Sequence, residues 1–160
     1  NYTFINVVDL TSESPDRAKV LAEYDANLRS FLQKSKDSLY ELETEIALLK
    51  SDQAYYADLA KSEENAFKDY LKNYDGEEAN SHLEGFIDAQ KKAGELYTRM
   101  KAMQLLAGVY TPLTKLMDTK IKFVAANKEA LLKGVSVVDI RGLDETLIQT
   151  EKEWLNSLGK

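Results

Sequence analysis

The chain has 160 residues, 44% of them hydrophobic and 30% charged, which suits a single domain with a modest core and is neither a disordered nor a membrane-protein composition. Asp plus Glu number 27 against 21 Lys plus Arg, a net charge of −6, and this argues against nucleic acid as the main partner because phosphate binding needs a basic surface. There is no cysteine, so disulfides, thiolate metal sites and cysteine nucleophiles are excluded, and no apolar run approaches the ~20 residues that span a bilayer.

In chain order, Thr3 to Val8 is rich in β-branched and aromatic residues and reads as a short strand. Ser14-Pro15-Asp16 then supplies a helix start, with Ser14 as cap and Pro15 at the first helical position, where its missing donor costs nothing. From Asp16 to Asp75 there is neither Gly nor Pro, and apolar residues recur at steps of three and four: Leu21, Tyr24, Leu28, Phe31, Leu39, Leu42, Ile46, Leu49, Tyr56, Leu59, Phe67, Tyr70 and Tyr74. Such a stripe asks for a partner helix along its length. Ser35, Gln53 and Glu63 fall on it and weaken it locally.

Asp75-Gly76 reads as a turn, and Glu77-Glu78 place negative charge where the next helix's dipole favours it. A second stripe follows through Leu83, Phe86, Ala93, Leu96, Met100, Met103, Leu106, Tyr110, Leu113, Met117, Ile121, Val124 and Leu131. It closes at Lys133-Gly134, a cation and a C′ glycine. The segments on either side of Gly76 are nearly equal in length. A fold-back there opposes Leu28 to Val124, Phe31 to Ile121, Leu39 to Leu113, Ile46 to Leu106, Leu49 to Met103 and Tyr56 to Leu96; a shift of one heptad satisfies the stripes almost as well. Gly85 and Gly94 each cost roughly 1 kcal/mol relative to Ala in a helix, and Gly108 with Pro112 forms a hinge that kinks or loosens the second helix.

Beyond Gly134 the period becomes strand-like. Val135 to Ile140 reads as a strand, Arg141-Gly142 as a turn and Leu143 to Gln149 as a second short strand. Thr150 then opens a terminal helix with Glu153 completing a capping box and Trp154, Leu155 and Leu158 forming its apolar face. The expected fold is therefore mainly α with a small β base. Residues 16–133 form a long antiparallel coiled-coil arm with its tip near 75–77. Residues 1–15 and 134–160 form an oligomerising β body built on Phe4, Ile5, Val7, Val135, Val137, Val138 and Ile140. An isolated two-stranded ribbon is marginal, so the body requires further copies.

This order of elements resembles the Skp/OmpH family of periplasmic chaperones over nearly the whole chain. The resemblance is carried by Phe4-Ile5-Asn6-Val7-Val8-Asp9 with Glu13-Ser14-Pro15, by Ala125-Ala126-Asn127-Lys128 through Gly134 to Asp139, and by Thr150 to Leu158. It implies a homotrimer whose helical arms enclose a cavity, ATP-independent holding of unfolded outer-membrane or other exported proteins, and a periplasmic location. The lack of cysteine and a start at Asn1 rather than Met fit an exported, processed chain, although a shortened sequence starts the same way. Two departures stand out: the best-known members are basic whereas this chain is acidic, and the tail after Ile140 is short.

Enzyme readings find little purchase, and no catalytic residue, metal ligand or cofactor site is assigned. His82, the single histidine, reads as a solvated residue near a helix start. Clusters such as Glu41, Glu43 and Glu45 read as solvated helix faces, and no phosphate-binding loop or nucleophile motif occurs. The aromatic and methionine content is more informative. A two-helix arm buries one stripe per helix, so Tyr40, Tyr55, Tyr70, Tyr74, Phe86, Tyr97, Met100 and Met103 form a candidate client-binding surface, the competing reading being ordinary coiled-coil packing. Two other functions fit the same pattern: a coiled-coil scaffold or tether whose tip contacts one folded partner, and an extracytoplasmic helical sensor with breaks near Ser51–Asp52 and Gly108–Pro112.

Overall fold

The computed structural model describes residues 17–135, 142 and 144–159. Four helices carry nearly all of them: α1, Arg17–Lys72; α2, Gly76–Ala126; α3, Lys128–Leu132; and α4, Glu145–Leu158. The backbone divides into two units. One holds the described residues up to Tyr40 and from Ala107 onward; the other is Glu41–Leu106.

The first unit contains the larger core. Leu21, Tyr24 and Leu28 of α1 cluster with Leu113, Leu116, Met117, Ile121, Phe123 and Val124 of α2, Leu131 of α3 and Leu147 of α4. Burying a Leu, Met or Phe side chain contributes roughly 1.5–3 kcal/mol, so this cluster anchors the helical ends. Trp154 packs against it from α4. Asn127 interrupts α2 through its own chemistry: its side-chain Nδ2 and its backbone N–H both donate to Phe123 O, at 2.9 and 3.1 Å. After α3 the chain closes as expected at Gly134. That residue takes φ 88°, while its N–H donates to Leu131 O at 3.2 Å and the Val135 N–H to Ala130 O at 3.0 Å, a Schellman motif.

The second unit consists of the facing parts of α1 and α2, antiparallel across the turn at Asn73–Asp75. The turn is a second Schellman motif. The Tyr74 N–H donates to Leu71 O (3.0 Å) and the Asp75 N–H to Tyr70 O (2.9 Å), with Tyr74 at φ 59°. Asp75 then caps α2 by accepting from the Glu78 N–H at 3.2 Å, and Glu77 and Glu78 occupy the first turn as expected.

The structure corrects several expectations. A β base is not present among the described residues. The proposed strand Leu143–Gln149 is mostly the first part of α4, because Asp144 accepts from the Leu147 N–H at 3.0 Å and so starts the helix well before Thr150. Thr150 lies inside that helix, its hydroxyl bonded to Thr146 O and Leu147 O, and forms no capping box. On α4 Leu147 and Thr150 are buried and Trp154 is partly covered, whereas Leu155 and Leu158 are exposed. The strand at 3–8, the cap Ser14 and body residues Phe4, Ile5, Val7, Val137, Val138 and Ile140 lie outside the described residues; Val135 is half-exposed. Breaks are absent where the sensor reading needed them, since α1 runs through Ser51–Asp52 and α2 through Gly108 and Pro112.

The register also differs. In the second unit Glu63 meets His82 and Glu45 meets Arg99, whereas a fold-back at Gly76 puts Ala89 and Ala107 in those places. The reason is local. The chain turns at Tyr74 rather than at Gly76, and a fold-back two residues earlier moves the facing residues about four positions toward the turn, so that Gly85 lies opposite Glu63; the long Glu63 and Glu45 side chains reach the rest of the way to His82 and Arg99.

Candidate functional site

The second unit has only two helices, so each can bury a single stripe. Its buried residues are Leu49, Ala60, Ala79, Ala89, Ala93 and Met100. Four of these six are alanine, which lets the backbones approach closely but covers little neighbouring area. Larger side chains just off the seam stay in solvent. Tyr55 is 62% exposed, and Leu48, Ile87, Tyr97, Leu105 and Leu106 are exposed by about half or more. Tyr55 meets Tyr56 edge-on with ring centroids 5.1 Å apart, and the Lys101 ammonium lies 5.3 Å from the Tyr97 ring centroid. Beside Tyr97 runs an open trough of about 540 Å³ lined by Gln53, Ala57, Gln90, Lys91, Ala93 and Gly94. Its lining is small side chains, amides, a lysine and a ring.

The residues expected to bind a client separate accordingly. Tyr55, Tyr70, Tyr74 and Tyr97 are exposed in the second unit, and Tyr40 is exposed at the edge of the first. Phe86 and Met103 are partly covered. Met100 is only 7% exposed and belongs to the seam. Leu48, Ile87, Leu105 and Leu106 are surface the sequence reading missed or, for Leu106, assigned to the seam. The signal was available in the alanines. Ala79, Phe86, Ala93 and Met100 are spaced by seven, and a seam that runs through alanine cannot cover the large residues beside it. The hinge pair lies within helix: Pro112 cannot donate to Gly108 O, yet α2 continues, with Thr111 and Thr114 hydroxyls bonding Ala107 O and Tyr110 O nearby.

His82 is not a freely solvated residue. Its Nδ1 lies 2.7 Å from Glu63 Oε2, and its ring stacks on Tyr70 at 5.3 Å with a 12° interplanar angle. Glu63 fits because Gly85 lies opposite: a Cβ there would come within 2.7 Å of Glu63 Oε2. The two residues that looked weak in the sequence, a carboxylate on the seam and a lone histidine, thus answer each other across the helices. Polar seam pairs of this kind specify register. Elsewhere Glu64 is held below the usual carboxylate range by the Lys68 hydrogen bond, with Lys61 adding its charge.

In the first unit a cleft of about 500 Å³ is lined by Ala18, Leu21, Ala22, Val124, Ala125 and Leu132, together with Asp25, Arg29 and Lys128. Asp25 and Arg29 are paired with each other at 2.9 Å, so the cleft offers mainly apolar contact. Glu153 of α4 accepts from Lys115 of α2 at 3.1 Å, and this bond, with a second from Gln149, lowers its pKa from the ordinary value. Among the described residues no cluster of three His, Asp or Glu side chains could hold a metal, and no helix is long and apolar enough to cross a membrane. No protein-family model, curated protein or solved structure matches this chain.

Proposed function

We propose that this protein is an ATP-independent holdase that binds exposed apolar segments of other polypeptides in transit, outer-membrane and other exported proteins being the client class. The observation that carries the reading is the row of exposed large side chains in the second unit, Leu48, Tyr55, Ile87, Tyr97, Leu105 and Leu106, flanking a seam too thin to cover them. Rings and long aliphatics spread over a rigid two-helix frame give many weak, adaptable contacts. Their joint occupation holds a chain by multivalency without one strong pocket. Charged side chains along the same helices, such as the Glu45–Arg99 and Lys68–Glu64 pairs, keep a loaded complex hydrated.

The test is a dilution assay. A β-barrel outer-membrane protein unfolded in urea is diluted with and without this protein, and turbidity and light-scattering mass are followed. A soluble complex of defined mass supports the reading; aggregation at the control rate removes it. Replacing Tyr55, Tyr97 and Leu105 together with Ser weakens client retention about tenfold or more if each lost contact contributes roughly 0.5–1 kcal/mol.

A further inference from the structure

The end of the second unit carries a residue in the wrong conformation for its type. Tyr74 has φ 59°, the left-handed region that costs any side chain bearing a Cβ and that glycine takes freely. The equivalent position after α3 is Gly134. Glycine and asparagine, the usual occupants, are both close by, as Gly76 and Asn73, yet the turn is set so that tyrosine takes the position. Packing does not offset the cost, because the Tyr74 ring is 96% exposed. Backbone strain of this kind persists where the surrounding structure imposes it, and it gathers at recognition sites.

The surroundings indicate what the ring would meet. Two backbone hydrogen bonds pin the turn. Leu71 is half-exposed beside Tyr74, and Tyr70 is braced from beneath by stacking on His82, itself held by Glu63. The knob is therefore preorganised, which suits a preformed socket better than a flexible chain. Its neighbourhood is acidic: exposed Asp69, Asp75, Glu77 and Glu78 lie on the last turn of α1, the turn itself and the first turn of α2, against Lys68, which is already paired with Glu64, and Lys72. That charge repels anionic lipid and nucleic acid and complements a basic rim.

We propose that the turn at Tyr70–Glu78 is a docking knob whose aromatic tip, Tyr74 with Leu71, enters an apolar socket ringed by Lys or Arg on a folded partner protein. This contact is separate from the client-holding flanks and does not depend on them.

The experiment places p-benzoylphenylalanine at position 74 of the full chain and irradiates it in the cells that make it, with the same residue at position 55 as the comparison. The expected result is one adduct of discrete mass from position 74 and not from 55. Its contact peptide, sequenced by mass spectrometry, carries Lys or Arg beside apolar residues, and its yield falls about tenfold in a Glu77→Gln/Glu78→Gln background. A common ladder from both positions, a lipid adduct, a contact peptide without basic residues, or no adduct overturns the proposal; the ladder would do so while leaving the holdase reading in place. Tyr74→Gly keeps loss of contact distinct from unfolding: its melting midpoint rises, because the strain is released, while competition with the labelled chain for the partner is lost. A midpoint that falls would show that the ring serves the fold, and would also overturn the proposal.

Discussion

Ser35 offers a substitution whose sign runs against the usual expectation for a core position. It is 2% exposed, among the most fully buried side chains, and its hydroxyl has no hydrogen-bond partner among the described residues. A buried hydroxyl left unsatisfied forfeits its hydration, at about 1–3 kcal/mol. Ser35→Ala removes that group, adds about 0.5 kcal/mol of helix propensity, and leaves a void of one oxygen whose lost dispersion contacts cost on the order of 0.5 kcal/mol. The expected net gain is about 1–3 kcal/mol. With a urea slope of about 2 kcal/mol per molar, the unfolding midpoint rises by about 0.5–1.5 M at unchanged slope, read by far-UV circular dichroism. An unchanged or lower midpoint would refute the reasoning, and would mean that the hydroxyl is satisfied by an ordered water or that the seam closes poorly over a methyl group.

Three further outcomes follow from the same geometry. Gly94→Ala, where a Cβ meets open space, raises stability by about 1 kcal/mol, whereas Gly85→Ala, where it meets Glu63 Oε2 at 2.7 Å, gains less because the carboxylate must leave His82; paired urea titrations measure the difference. A double-mutant cycle of Glu63→Ala and His82→Ala yields a coupling of about 1 kcal/mol, and additive single effects would show that the two do not act as a pair. Lys115→Met lowers stability at neutral pH. Since Glu153 is depressed in the folded chain, its contribution is present above the unfolded carboxylate value and is lost as pH falls through the folded one, so the gap to wild type closes in acid. Melting curves across that range check it.

Much of this protein can be read from its residues alone. The glycine- and proline-free run to Asp75, the matching stripes and the glycine at 134 follow from helical periodicity and cap chemistry, which are local and therefore visible in one dimension. The exposure of Tyr40, Tyr55 and Tyr97 follows too, since a helix with one partner can cover only one face. What failed was short or conditional. Leu143 to Gln149 has β-like composition, but a single aspartate at 144 nucleates a helix there, and Leu147 and Thr150 turn to the core only once α4 is laid against it.

Register was beyond reach for a different reason. Heptad stripes repeat, so neighbouring registers bury nearly the same apolar area, and the choice falls to features that carry meaning only in pairs. Glu63 alone looks like a defect and His82 alone like a surface residue. Tertiary structure brings them to 2.7 Å, makes room at Gly85, and turns the chain at a tyrosine rather than at the glycine two residues later. Helical periodicity alone requires that two long helices face each other. Which residues meet was decided by a turn and a polar pair, because hydrophobic burial is nearly indifferent to one step along the stripes, whereas a half-buried carboxylate is not.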